Sequence, residues 1–234
     1  MYTVFRGANG FETYVASLKT AKTLIICGLH SAQSPNIADA ISVLQRALND
    51  VSVYSVTENL PLIEAVPNVQ CYEQIIAIGG GKIMDIAKIA ALDIPQDVLR
   101  QKLRGGDYAI PRSLPLVCIP ITCGSGSEAT SFAVCYMDGQ KYSITHPSIL
   151  PDVAILNADF LVSQSNAQIK AGALDGLCQS MESVFSKSAT VESIAHSKKA
   201  LELGFMMRSK QFPICQVLRL TQRKQIYPMR CRII

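Results

Sequence analysis

Three short segments of this sequence carry residue types and spacings that could do chemistry. The first is Gly79-Gly80-Gly81-Lys82, placed between the apolar run Gln74–Ile78 and the stretch Ile83-Met84-Asp85-Ile86-Ala87-Lys88. Three glycines at a strand-to-helix turn let the backbone approach a ligand closely, with N–H groups and the helix dipole aimed at it, which is a phosphate site by construction. Lys82 adds positive charge. The dinucleotide fingerprint GxGxxG does not fit, and neither does the P-loop, which needs glycine at Ala77 and Ser or Thr at Ile83. The second segment, Pro120-Ile121-Thr122-Cys123-Gly124-Ser125-Gly126-Ser127-Glu128-Ala129-Thr130, again follows an apolar run and offers small hydroxyl donors. It contains no GxSxG elbow and no companion His–Asp pair for a hydrolase triad. The third segment places Asp175 and Gln179 at i and i+4 on one helical face, with Glu182 next on that strip. An Asp and a His so spaced would grip a metal, whereas Gln is a poor ligand for a transition ion.

The elements that must position these segments can be read from periodicity. Lys22–Gly28, Val51–Val56, Gln74–Gly81 and Leu114–Thr122 read as strands, and Asn36–Leu48 and Ile83–Leu92 as helices. Apolar strands alternating with helices predict a parallel sheet covered on both faces, an α/β Rossmann-like domain over residues 1–162. Ser131–Pro151, with Asp138-Gly139 as its turn, reads as a hairpin. From about Asn166 strand signals stop, and Ile169, Ala173, Leu177, Met181, Val184 and Phe185 recur at helical spacing. A second, all-α domain is therefore expected over 163–234.

Composition excludes several classes. At 49% hydrophobic and 17% charged residues the chain is neither disordered nor fibrous. Its apolar runs are far shorter than the ~20 residues of a bilayer span, and Met1–Tyr14 lacks the layout of a secretory signal, so no membrane partner and a cytoplasmic location are expected. The net charge of +4 is unevenly spread: all 18 acidic residues lie at or before Glu202, while seven of the 22 basic ones follow it, leaving the body at 15 against 18. A basic tail interrupted by apolar residues without a regular stripe does not make a nucleic-acid interface. The eight cysteines form no CxxC pair and read as reduced, mostly buried thiols rather than disulfides or zinc ligands.

In this order, the three segments resemble the iron-containing (group III) alcohol dehydrogenase family. That family carries GGGSxxDxAK, PTTxGTGSExT and GxDALxHxxE, matched here by GGGKIMDIAK, PITCGSGSEAT and GALDGLCQSME, and the match extends over about residues 20 to 200. The resemblance implies an oxidoreductase that interconverts a small alcohol and aldehyde with NAD or NADP, assisted by iron or zinc held between the two domains. By position, Gly79, Gly80, Gly81 and Lys82 would cradle the pyrophosphate and Asp85 would line that loop. Ile121, Thr122, Thr130 and Lys141 would lie along the nicotinamide half, and Asp175 would be the first metal ligand. The family's acidic ribose contact is replaced by Ser55, which makes NADP an equal candidate.

The sequence departs from the family where the metal should sit. Gln179 stands in the place of a metal-binding His, and His30, His146 and His196 do not match the family's two later histidine ligands. The resemblance thus implies a member truncated in its C-terminal helical domain, with an atypical basic tail, an incomplete metal site and impaired activity. An apolar face left by that truncation would favour homo-oligomers. The competing expectation is a nonenzymatic nucleotide-binding remnant that holds the cofactor but transfers no hydride.

Overall fold

A computed structural model of the chain describes residues 2–57, 59–106, 112 and 114–208, with side chains through Gly204. The side chains of residues 205–208 and the whole of 209–234, the basic tail with Cys215 and Cys231, lie outside what is described. The first layer is a six-stranded sheet built from β1 (Thr3–Arg6), β2 (Thr23–Gly28), β3 (Val51–Val56), β4 (Gln74–Gly79), β5 (Leu116–Pro120) and β8 (Val153–Leu156). Its order is β1-β8-β5-β4-β2-β3, and every pairing is parallel.

Alternation along these strands feeds two cores, as a sheet covered on both faces requires. Ile25, Cys27, Ile76, Ile78, Val117 and Ile119 pack with Phe11 and Tyr14 of α1 (Gly7–Ser17) and with α3 (Pro35–Leu48), which contributes Ile37, Ala40, Leu44 and Leu48. Leu24, Ile26, Ile75, Ala77, Leu116 and Cys118 face the other way, onto Ile83, Met84, Ile86, Ala87 and Ala90 of α4 (Gly81–Ala90). Strand β4 stops at Gly79, two residues before the expected end, because Gly81 already begins the helix.

The hairpin forms as β6 (Phe132–Met137) and β7 (Gln140–Thr145), with Asp138 and Gly139 at the turn in positive-φ conformations. Its inward residues Ala133, Cys135, Met137 and Ile144 build a third cluster with Ile89 of α4 and with Leu99 and Leu103 of α5 (Gln96–Gly105). Beyond β8 the chain is helical, in α6 (Asn166–Phe185) and α7 (Val191–Arg208). A capping box starts α6: Ser165 Oγ accepts from the Gln168 N–H at 3.2 Å, and Gln168 Oε1 accepts from the Ser165 N–H at 2.9 Å. The two helices lie close enough that a Cβ on Gly204 would stand 2.3 Å from Leu177 Cδ2.

Strand order places the site. The chain passes from β2 to β3 on one side, then returns across β2 to β4 and β5. The crevice between the carboxyl ends of β2 and β4 is therefore the switch point at which open α/β sheets bind ligands. Gly28 and Gly79 end those two strands.

Candidate cofactor site

The glycine bend leaves β4 and enters α4 with Gly80 as N-cap and no side chain capping the helix. The first-turn N–H groups of a helix have no intrahelical acceptor, so those of Gly81 and Lys82 point out of the bend with the positive end of the helix dipole. Space explains why side chains are missing here. A Cβ on Gly79 would lie 2.4 Å from Ile83 Cβ, inside the helix it must pack against. A Cβ on Gly80 would lie 2.8 Å from Thr122 Oγ1, and one on Gly81 3.1 Å from Ser125 Cβ. The bend thus faces the loop after β5 at close range, and Gly80, Gly81, Thr122 and Ser125 meet across one gap.

That loop is held at both ends. At its start the Ile121 N–H donates to Gly79 O at 3.1 Å, and Ile121 O accepts from Gln164 Nε2 at 2.7 Å. Gly124 (φ 113°) and Gly126 (φ 61°) occupy backbone conformations that other residues seldom adopt. A Cβ on Gly124 would lie 2.6 Å from Gly172 O, and one on Gly172 2.3 Å from Cys123 O, so α6 rests directly on the loop's main chain.

At the far end stands a buried cation. Lys88 is fully buried and its Nζ donates to Ser127 Oγ at 2.8 Å, Phe132 O at 2.7 Å and Thr130 Oγ1 at 3.3 Å. The Ser127 hydroxyl in turn donates to Asp85 Oδ1 at 2.8 Å, and Asp85 Oδ2 accepts from the Val134 N–H at 3.0 Å. Burial pushes the Lys88 ammonium below its ordinary pKa, offset in part by Asp85 and Glu128. Burial also pushes the Asp85 carboxyl up, against the pull of Lys88 and its two hydrogen bonds. Neighbouring Cys118 is held protonated, its thiol pushed up to about 12 by burial. Neither Lys88 nor Ser127 is singled out by the sequence reading: Lys88 falls on one strip of α4 with Lys82 and Asp85, three residues apart, and such a strip reads as solvated.

The remaining candidates lie on other elements. Lys141 is exposed on β7, in register with Tyr136. Asp175 is exposed on α6, where its Oδ2 accepts from Gln179 Nε2 at 3.0 Å. His146 turns its Nδ1 back to the Ser148 N–H and hydroxyl as the cap of a short helix. His196 lies beside Glu192 on α7, 3.9 Å away. Ser55, at the end of β3, places its hydroxyl 3.9 Å from the Cys27 thiol. Among the described residues, no group of three or more His, Cys, Asp and Glu could hold a metal, and no helix is long and apolar enough to cross a membrane. The described cysteines are all free thiols: Cys27, Cys118 and Cys135 are buried, Cys123 is half-buried, and Cys71 and Cys178 are exposed.

Comparison with known proteins settles the lineage. The family model for iron-containing alcohol dehydrogenases matches residues 3–158. The chain belongs to that family. Phosphonoacetaldehyde reductase of Streptomyces viridochromogenes is 36% identical over 138 residues, 55% of this chain and 35% of that protein. Aldehyde-alcohol dehydrogenase 2 of Entamoeba histolytica is 32% identical over 214 residues, 82% of this chain and 25% of the relative. Among solved structures, sulfoacetaldehyde reductase from Bifidobacterium kashiwanohense in complex with NAD+ superposes with a TM-score of 0.80 at 21% identity. That match covers 94% of this chain and 64% of the other, so it shows the shared fold. This family member spans about a third or less of the two curated relatives and under two thirds of the solved chain.

Proposed function

We propose that this chain binds a nicotinamide dinucleotide, NAD or NADP, at the glycine bend and acts as an oxidoreductase on a small alcohol–aldehyde pair. One observation carries the reading: an uncapped helix start, stripped of side chains at Gly79, Gly80 and Gly81, faces a hydroxyl-bearing loop at the switch point of a parallel sheet. The cradle suits a diphosphate, because the Gly80–Lys82 backbone can reach its oxygens and the Lys82 side chain can offset its charge. Ile121, Thr122 and Lys141 are proposed to line the nicotinamide half. Bound there, the nicotinamide would supply or accept the hydride that joins aldehyde and alcohol. Ser55, lacking a carboxylate, would not repel a 2′-phosphate, so NADPH is proposed alongside NADH.

The metal is a different matter. In the iron or zinc site the family implies, Asp175 would be one donor. The residue beside it is an amide whose nitrogen already donates to that carboxylate, and the described residues do not complete a set of ligands. They do not fit a transition ion, and no step is assigned to one. This pairing favours a second reading, nucleotide binding without turnover.

Titration of the chain with NADH and NADPH, read by nucleotide fluorescence, tests the first claim. Saturable binding is expected, and Gly81→Ala should weaken it about tenfold, or ~1.4 kcal/mol, while leaving the melting temperature nearly unchanged. Its Cβ would stand in the gap opposite Ser125, in a backbone conformation open to alanine. Absence of binding by the unaltered chain overturns the assignment. Hydride transfer to a panel of small aldehydes, phosphonoacetaldehyde and sulfoacetaldehyde included, separates the two readings: turnover supports the oxidoreductase, and binding without turnover supports the remnant.

A further inference from the structure

Three candidates lie outside the cradle. A cleft of about 350 Å³ between the C-terminal end of α4 and the start of α5, lined by Val69, Gln70, Asp93 and Gln96, has no buried polar side chain in its lining. The exposed apolar residues of α6, Leu174, Met181 and Phe185, have nothing in the structure to show what covers them. The buried Lys88 is different, because its partners Ser127, Thr130 and Phe132 cluster where the loop after β5 runs into β6.

We propose that Lys88, with Asp85 and Ser127, is a positioning group that sets the width of the diphosphate gap, so that Asp85 and Thr130 act through the loop rather than by touching the cofactor. The inference rests on the dinucleotide reading and deepens it. The loop from Ile121 to Thr130 bridges two anchors. Its first anchor is the Ile121–Gly79 hydrogen bond at the strand end. Its second is Lys88, which reaches from the last turn of α4 to take Ser127, Thr130 and the first residue of β6 at once. Between the anchors stand the two residues that face the bend, Thr122 over Gly80 and Ser125 over Gly81. Ser125 is tied onward to the second anchor, since its Oγ lies 3.4 Å from the Ser127 N–H.

Hydrogen-bond direction makes the arrangement one-way. An ammonium only donates, so Ser127 Oγ must accept from it and spend its own hydrogen on Asp85 Oδ1. Asp85's other oxygen is taken by Val134. Both carboxylate oxygens therefore face inward, and the Thr130 hydroxyl receives Lys88. Since the Lys88 side chain issues from the same helix whose first turn forms the cradle, the bend and the loop opposite are gauged from one rigid element. Removing the cation frees the second anchor and lets Ser125 drift from Gly81. The diphosphate would then lose its seat while the adenine end of the site stayed intact.

The experiment is paired titration of the unaltered chain, Lys88→Met and Ser127→Ala with NADH, and with adenosine as a competitor that lacks phosphate, alongside thermal melts. Lys88→Met keeps most of the stem's volume and removes the donor. Ser127→Ala is the milder change, leaving Lys88 its Phe132 carbonyl and Asp85 its Val134 N–H, and it reads the same effect if Lys88→Met does not fold. The expected result is a loss of NADH affinity of about tenfold for Lys88→Met and about threefold for Ser127→Ala, with adenosine competing as it does with the unaltered chain. A purely structural role predicts lower melting temperatures with NADH affinity unchanged, or NADH and adenosine weakened together, and either result overturns the proposal. Failure of the unaltered chain to bind NADH or NADPH is the separate failure of the dinucleotide reading, and the proposal falls with it.

Discussion

The α/β part and the α6–α7 pair are built from similar proportions of apolar residues, yet they bury them differently. In the sheet and its covering helices, Ile25, Ile76, Ile78, Leu44 and Met84 are sealed completely, and even a lysine is enclosed with a partner for each of its protons. On the helical pair, Leu174 is 62% exposed, Phe185 85% and Val191 88%, and among the described residues none from either helix belongs to the three core clusters. The two helices hold each other and touch the α/β part at the Cys123–Gly172 contact, where backbone meets backbone. The cradle is thus built from residues of the α/β part, with α6 bearing on the main chain of its second loop at Cys123 and Gly124. In the helical pair, the carboxylate at the family's metal position, Asp175, is tied to the Gln179 amide.

If that contrast is right, truncations on the two sides should differ sharply. Ile78→Ala, in the strand leading to the bend, should cost about 3 kcal/mol in chemical denaturation. A value under about 1 kcal/mol would mean the sheet core is looser than its burial suggests. Next comes Asp85→Asn, expected to lose about 2 kcal/mol. The amide can satisfy the Val134 N–H or the Ser127 hydroxyl in its present direction, but not both, and an unchanged melting curve would sink the network. Smaller still is the hairpin turn, where Arg104 and Arg100 hold the exposed Asp138 carboxyl below its ordinary pKa. A depressed carboxyl adds stability above its unfolded pKa of about 3.9 and loses it as pH falls through the lower folded value. Asp138→Asn should therefore destabilise slightly at neutral pH and converge with the unaltered chain in acid; a gap that persists at the acid end contradicts the ion-pair account. Smallest is Phe185→Ala on α6, expected within about 0.5 kcal/mol of no change. A large loss there would show that its ring is covered in solution.

Much of this architecture is legible in the residues. β2, β4 and β5 are apolar runs, α3 repeats Ile37, Ile41, Leu44 and Leu48 on one face, and Asp138-Gly139 marks the hairpin. The elements that escape are α1, whose buried face is only Gly10, Phe11 and Tyr14, and those that are short or polar. β1 and β8 are four residues each and pair mainly with one another at the sheet's end, while α5 carries its buried face on Leu99 and Leu103 alone. At the cradle the glycines are readable because their lack of side chains is itself the signal. The inward turn of Asp85 and Thr130 is not, because it depends on Lys88, and a lysine in sequence suggests solvent.

The central claim is that main-chain amides at Gly80, Gly81 and Lys82 hold a dinucleotide's diphosphate. The most direct measurement is a crystal structure of the chain soaked with NADH. The account predicts diphosphate oxygens within hydrogen-bond distance of those N–H groups, beneath Thr122 and Ser125. A diphosphate bound elsewhere, with the bend left to solvent, would contradict it.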